Sequence, residues 1–365
     1  MLVAANKCLW HISAMRLSDL RFLVAWLLPV LSICSVTFLP SHAALWTLAI
    51  WLGIALIDAF VPGGKRSPVA LTPHTSLTYF NTVLRLYVLL QMVLIAAGAY
   101  AAMQADWLVV LGIAFSVGFI TGAQGITFAH EMGHSKSKLD RFCAWALMTS
   151  VCYGHFMVEH YRGHHPRAAT FDDAATSRRG ESLYQFLPRT LRGSLQSGWR
   201  LEMLRITQTK SNWLRSPLAW SALASLMVVL LLGSYLPAQS AIKVIVYFVL
   251  QSVVAFILLE TVNYIEHYGL QRKTAQGKCE PFGMMHAWNA DHVATNSMLA
   301  NLQRHSDHHM HAWKRYPMLA PLPGPQLPTG YAGCLLLAMV PPLWFSLIHS
   351  RLEALRVKKT ETLLM

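Results

Sequence analysis

The stretch WLVVLGIAFSVGFITGAQGITFAHEMGH (107–134) runs without a charged side chain from 107 to 127 and then closes on two histidines four residues apart. About 20 apolar residues in helical form cross the hydrocarbon core of a bilayer. If the helix continues past 127, His130 and His134 share one face and can approach a single ion. The sequence therefore poses two linked questions: whether further spans surround this one, and whether more imidazole converges on its inner end.

Further apolar runs lie at 22–39, 43–61, 83–103, 217–236 and 241–262, so with 107–127 the chain carries six. Composition agrees: 54% of the 365 residues are hydrophobic and 13% are charged, against about a quarter charged in soluble domains. The expected fold is an all-α integral membrane protein, a single membrane domain over 1–365 with six transmembrane helices. A helical cap, built from 128–216 and 263–330, carries the histidines. The joins PSHAA, AAMQAD and SYLPAQS contain no lysine or arginine. The opposite segments hold Lys7, Arg16, Arg21, Lys65 and Arg66, the arginine-rich 128–216, and Arg351, Arg356, Lys358 and Lys359 in the tail. The positive-inside rule then puts both termini and the cap on the cytoplasmic side of the membrane. Residues 141–157 are short for a span and read as a buried or interfacial helix. Residues 331–349 are long enough, but Pro341 and Pro342 interrupt a helix interior, so a peripheral helix lying against the bundle is expected.

The formal charge of +13 belongs with cytoplasmic lysine and arginine excess, because no nucleic-acid recognition module is visible. Such a face also suits an acidic soluble partner. Cys8, Cys34, Cys143, Cys152, Cys279 and Cys334 are scattered without a C-x-x-C pair, which argues against a disulfide framework or a zinc knuckle. The first apolar run lacks a small-residue cleavage site after it and reads as a retained anchor.

The remaining histidines answer the second question. EHYRGHH (159–165) places His160 and His164 at i and i+4 with His165 adjacent. NYIEHYG (263–269) puts His267 just past the sixth run, and LQRHSDHH (302–309) supplies His305, His308 and His309. Nine imidazoles on one side of the membrane are too many for one ion and suit two. H-E-x-x-H alone fits a zinc protease with Glu131 as base, but that reading leaves most of the histidines unexplained. An all-imidazole site suits zinc, copper, iron or nickel; open positions for dioxygen favour iron. Glu131, Glu159, Asp172, Asp173, Glu266 and Asp307 are candidates to accept a hydrogen bond from the far ring nitrogen of a ligand, each also readable as an ordinary solvated acid. His11, His42, His74 and His349 stand alone and are left out. So are His155, His286, His292 and His311, although these lie nearer the clusters.

In these motifs the chain resembles the integral-membrane non-haem diiron hydroxylases and desaturases, and within them the alkane 1-monooxygenase (alkane omega-hydroxylase) family. The boxes stand at 130–134, 159–165, 263–269 and 302–309, and HAWNADHVATN (286–296), RRGESLYQF (178–186) and LPTGY (327–331) resemble its intervening segments. Desaturases usually space the first box differently and lack the NYIEHYG element. The resemblance implies that His130, His134, His160, His164, His165, His267, His305, His308 and His309 hold two iron ions, with O2 as co-substrate. It implies terminal hydroxylation of n-alkanes drawn from the bilayer, with electrons from a rubredoxin and its reductase. The chain has no flavin, nicotinamide or cysteine-quartet fingerprint of its own, and Arg178 and Arg179 are candidates for docking the donor. Trp46, Trp51, Phe115, Phe119 and Ile120 lie on spans that could line a substrate channel. Two other readings compete: a related hydroxylase or desaturase acting on an aryl methyl, fatty acyl or terpene substrate, and a metal transporter or sensor. Transport calls for ionisable groups along the spans, and these hold almost none apart from Asp58 and Glu260 near their ends.

Overall fold

A computed structural model describes residues 17–61, 77–275 and 278–364; Lys7, Arg16, Lys65 and Arg66 lie outside the described residues. After a tight 3-10 coil over Leu17–Trp26 come helices α1 (Leu27–Phe38), α2 (Ala43–Phe60), α3 (Thr78–Gln104), α4 (Trp107–Ile120), α5 (Thr127–Gly133), α6 (Lys138–Ser150), α7 (Leu183–Gln208), α8 (Pro217–Tyr235), α9 (Ala238–His267), α10 (His305–Met310), α11 (Tyr331–Ala338) and α12 (Pro341–Leu364). Six segments are long and apolar enough to cross a membrane: Asp19–Phe38, Pro40–Phe60, Thr78–Gln104, Trp107–Gly133, Pro217–Tyr235 and Ala238–His267. They coincide with the six expected runs to within a few residues. Most extend further at the histidine end, because polar residues there are still helical.

The centre of the bundle is the crossing of α4 and α9. Gly118 and Gly122, spaced as GxxxG, face Gln251 and Ala255, and a Cβ on either would run into the α9 backbone. Lipid tails give no hydrophobic drive between helices, so close backbone approach through small residues supplies the contact. α4 and α5 form one rod through a π-helical turn at Thr121–Ile126.

The stretch 141–157 is not among these six segments. α6 enters the bundle until Ser150, whose hydroxyl accepts from Gln91 Nε2 (2.9 Å) and whose carbonyl accepts from Gln251 Nε2 (3.1 Å). Both glutamines sit halfway along their spans, so the end of α6 is satisfied by protein where water is absent. The chain then turns back through Cys152, at φ 54°. The C-terminal stretch 331–349 is two helices, with a break at Met339–Val340 and α12 running on to Leu364. Pro341 and Pro342 start the second helix, where missing N–H donors are harmless. α11 is tied to α2 by Trp51 Nε1, which donates to Ala332 O (2.9 Å). In α12, Trp344 and Ile348 are buried, the indole against Tyr264 and Tyr268.

Candidate metal centre

The inner end of this bundle gathers all nine expected histidines. Their ring nitrogens form two groups able to hold a metal ion: His130, His134, His160, His165 and His308 in one, His164, His267, His305 and His309 in the other. Within each group the donor atoms lie within 4.8 Å of one another. The division cuts across the sequence boxes, for a local reason. Residues 160–164 are π-helical, and i→i+5 bonding brings i and i+5 into register. His160 therefore faces His165, Nε2 to Nε2 at 3.0 Å, while His164, expected at i+4 on the same face, turns to the other group. In α10, an ordinary helix, His305 and His309 stay together at i and i+4, and His308 crosses to the first group.

Close packing explains two other box residues. A Cβ at Gly133 would strike the Tyr161 phenol. That phenol donates to His130 O (3.0 Å), so the first box carries glycine where the second inserts its tyrosine.

The donor set fits metal ions. His305 and His267 also meet Nε2 to Nε2, at 3.2 Å. Two nitrogens bound at ~2.1 Å and at right angles on one ion stand ~3.0 Å apart. Among the described residues, Nε2 of His130, His134, His164 and His308 and both ring nitrogens of His309 are buried without a hydrogen-bond partner. A buried polar atom left so is costly, and convergence of several is what a cation site requires. Burial holds His160, His305, His308 and His309 well below the usual imidazole range, and His134 below it too; His165 is pushed down to about 3. Neutral imidazole is the ligating form. His164 differs: burial pulls it down, but Asp173, with Glu159 and Glu266, outweighs this and raises it.

Of the six candidate acids, two face a ligand. Asp173 Oδ2 lies 2.9 Å from His164 Nδ1 and is itself held by Thr176 Oγ1 (2.7 Å); despite burial, its contact with His164 brings it to about 2. Glu266 Oε1 lies 3.2 Å from His305 Nδ1, outside hydrogen-bond geometry, and accepts from Tyr331 OH (2.6 Å). The other four point elsewhere. Glu131 accepts from Tyr316 N (3.1 Å), and Glu159 pairs with Arg167 (3.1 Å) and is raised by burial to about 7. Asp307 holds His311 and Lys314 (both 2.8 Å), and Asp172 is exposed. His311 is thus an acid's partner, not a ligand. Tyr331 and Thr176 were not among the candidates. Tyr331 sits in the LPTGY segment, but nothing local shows that it reaches Glu266.

Two small apolar voids adjoin this site. Leu28, Trp51, Ile54, Phe119, Ala123 and Leu335 line one void, which shares Thr127 and Val262 with a second that ends on His130, His160 and His305. A larger cavity, about 900 Å³ between α3, α6, α8 and α9, is lined by none of the nine histidines.

An all-helical bundle ending in paired histidine clusters defines a membrane enzyme of the desaturase class, and residues 105–337 match the fatty acid desaturase family. The chain is 36% identical to alkane 1-monooxygenase 1 of Pseudomonas aeruginosa over 86% of its own length and 85% of that protein's. It is 42% identical to alkane 1-monooxygenase 2 of the same organism, over 68% and 66%, and 35% identical to alkane 1-monooxygenase of Pseudomonas putida, over 82% and 75%. The chain belongs to the alkane 1-monooxygenase family and is a multi-pass membrane alkane monooxygenase.

Proposed function

We propose that the chain hydroxylates the terminal methyl group of medium- and long-chain n-alkanes, R–CH3 + O2 + 2 e⁻ + 2 H⁺ → R–CH2OH + H2O, with two iron ions and electrons from rubredoxin. The observation that carries it is the inner apolar void, which adjoins a second one and is lined by His130, His160 and His305, histidines drawn from both groups. In this reading His130, His134, His160, His165 and His308 hold one ion and His164, His267, His305 and His309 the other. Bound iron supplies the activation of dioxygen and the attack on an unactivated C–H bond. The protein positions and excludes: Thr127 and Val262 guide the methyl end, Leu259 and Leu302 keep water from it, Asp173 orients His164, and Glu266, held by Tyr331, places its carboxyl beside His305. In this reading the site and both termini face the cytoplasm at the inner membrane, which the lysine and arginine distribution supports. There the exposed Arg178, stacked over Phe171, and Arg179, paired with Glu353 at 2.6 Å, belong to the basic surface offered to an acidic donor.

The test is iron content together with product analysis. Purified protein with rubredoxin and its reductase is given octane, hexadecane, xylene and a fatty acid. About two irons per chain and 1-alkanol as the main product are expected. Absence of iron, undiminished hydroxylation by His308→Ala, or turnover of xylene or fatty acid alone overturns the reading.

A further inference from the structure

Three rings stack from the aqueous surface into the metal centre. Phe282, half-buried, lies on His309 with centroids 4.7 Å apart and planes 24° from parallel. His309 lies in turn on His165, at 4.4 Å and 30°. His309 belongs to the four-histidine group and His165 to the five-histidine group, so a single outer ring is in van der Waals line with both. The segments on either side of that ring, 284–285 and 310–313, carry exposed apolar side chains. Met284, Met285, Met310 and Trp313 are 38%, 43%, 37% and 69% exposed, and none lies in a membrane-crossing segment. The loop bearing Met284 is tied to α10 by Ser306 Oγ, which donates to Met284 O (3.1 Å). Methionine and aromatic side chains are enriched in the cores of protein interfaces, and an exposed apolar patch with a polar rim marks a contact site. The rim here is cationic: Lys273 and Lys278 are exposed on the short hairpin Thr274–Ala275/Lys278–Cys279 and its approach.

We propose that this patch is the docking surface for the electron carrier and that Phe282 is the point at which electrons enter. The inference rests on the proposed reading that the donor is rubredoxin. The partner it fits is a small one-electron carrier with an apolar contact face ringed by carboxylates. Lys273 and Lys278 steer it, while Met284, Met285, Met310 and Trp313 form the desolvated core of the contact. Each docking oxidises one carrier by one electron. Two successive dockings provide the two electrons that, with O2 and two protons, convert R–CH3 to R–CH2OH and water; no bond to Phe282 forms or breaks. Arg178 and Arg179 sit elsewhere, beside Tyr268 and the Glu353 end of α12, and contribute long-range field, not the contact.

The experiment measures binding separately from turnover. Zinc-substituted rubredoxin, which carries no electron, is titrated into the iron-loaded full-length protein, and reoxidation of reduced iron rubredoxin is followed by stopped flow. Trp313→Ala, Met285→Glu and the double Lys273→Glu/Lys278→Glu variant are each expected to weaken binding about tenfold or more with iron content unchanged. Phe282→Leu is expected to keep the Kd and slow reoxidation, and Phe282→Tyr to restore it. Wild-type Kd in all three patch variants, or loss of binding on charge reversal at Arg178 and Arg179 instead, overturns the proposal. Lys273 and Lys278 are exposed and are not among the nine histidines, so their variants decide the matter even if Phe282→Leu loses metal. If wild-type protein neither binds nor oxidises rubredoxin, the donor reading itself fails; if it does both and the patch variants are indifferent, only the docking surface falls.

Discussion

His164 shows how one carboxylate decides what an imidazole can do. Asp173 takes its Nδ1 side and leaves Nε2 for the ion, and Thr176 Oγ1 and Ala175 N fix Asp173 in turn. Loss of such an outer partner typically costs 10–100-fold in metal affinity. Asp173→Asn is therefore expected to lower affinity for one of the two ions by about that factor and spare the other, which a competitive chelator titration with two resolved steps checks; a single step shifted for both ions refutes it. Glu202 offers a structural counterpart. It takes both Arg205 Nε (2.9 Å) and Nη2 (2.7 Å) and the Ser216 hydroxyl (2.6 Å), joining α7 to the start of α8. Hydrogen bonding from Arg205, ahead of its other partners, holds this carboxyl below its usual range. A depressed folded-state pKa means that the stabilisation is present above the unfolded value of about 4.3 and fades as pH falls through the folded one. Glu202→Gln is expected to cost about 1–3 kcal/mol near neutrality and much less below about pH 4; equal thermal shifts at both pH values count against this account. Both acids stand in the sequence, but their partners were not legible there, because each is chosen by tertiary placement.

At the scale of elements, the long helices were readable and their irregular turns were not. Apolar length and the alternation of charged and uncharged joins are local patterns, so six spans and the short non-crossing α6 could be placed from them. The π turn at His160–His164 leaves no composition signal, and it redistributes the second box between the two groups. The α4–α9 crossing was written in Gly118 and Gly122, a GxxxG pattern that could have been used to pair those spans. Its energetic role is testable. Gly118→Ala places a methyl against Gln251 O, where backbone cannot yield, and is expected to destabilise by about 1–3 kcal/mol, as overpacking does. Gly112 on the same helix meets only Ala44 at an ordinary contact distance, and Gly112→Ala is expected to be neutral or slightly stabilising. Melting temperatures in detergent separate the two; similar values for both variants remove the crossing's special status.

Across the whole molecule, the membrane bundle is apolar along its length and the cap holds nine imidazoles at the bundle's inner end. The nine histidines that gather there were legible because the boxes name them, whereas the voids beside them were not, because their walls come from α1, α2, α4, α9 and α11 together. Of the spans' aromatic residues, Trp46 is 51% exposed on the outer surface of α2, while Trp51 is 5% exposed. Trp51 lines the outer void with Ile54, Phe119 and Leu335, whereas His130, His160 and His305 line only the inner one. Its indole is pinned from two sides, by the bond to Ala332 O and by Phe119 at 4.9 Å, so it cannot swing aside cheaply. An alkane whose methyl end reaches the histidines must place its other end near this ring, and any chain longer than the passage meets it. Trp51→Leu shortens the plug while keeping an apolar wall, at a stability cost of a few kcal/mol by analogy with large-to-small core changes. The expected outcome is a rise in hexadecane turnover relative to octane. The lipid-facing substitution Trp46→Leu should leave the ratio unchanged. Product ratios from mixed-alkane incubations read this directly, and an unchanged ratio in Trp51→Leu, or a shift of the same size in Trp46→Leu, shows that the passage is limited at some other wall.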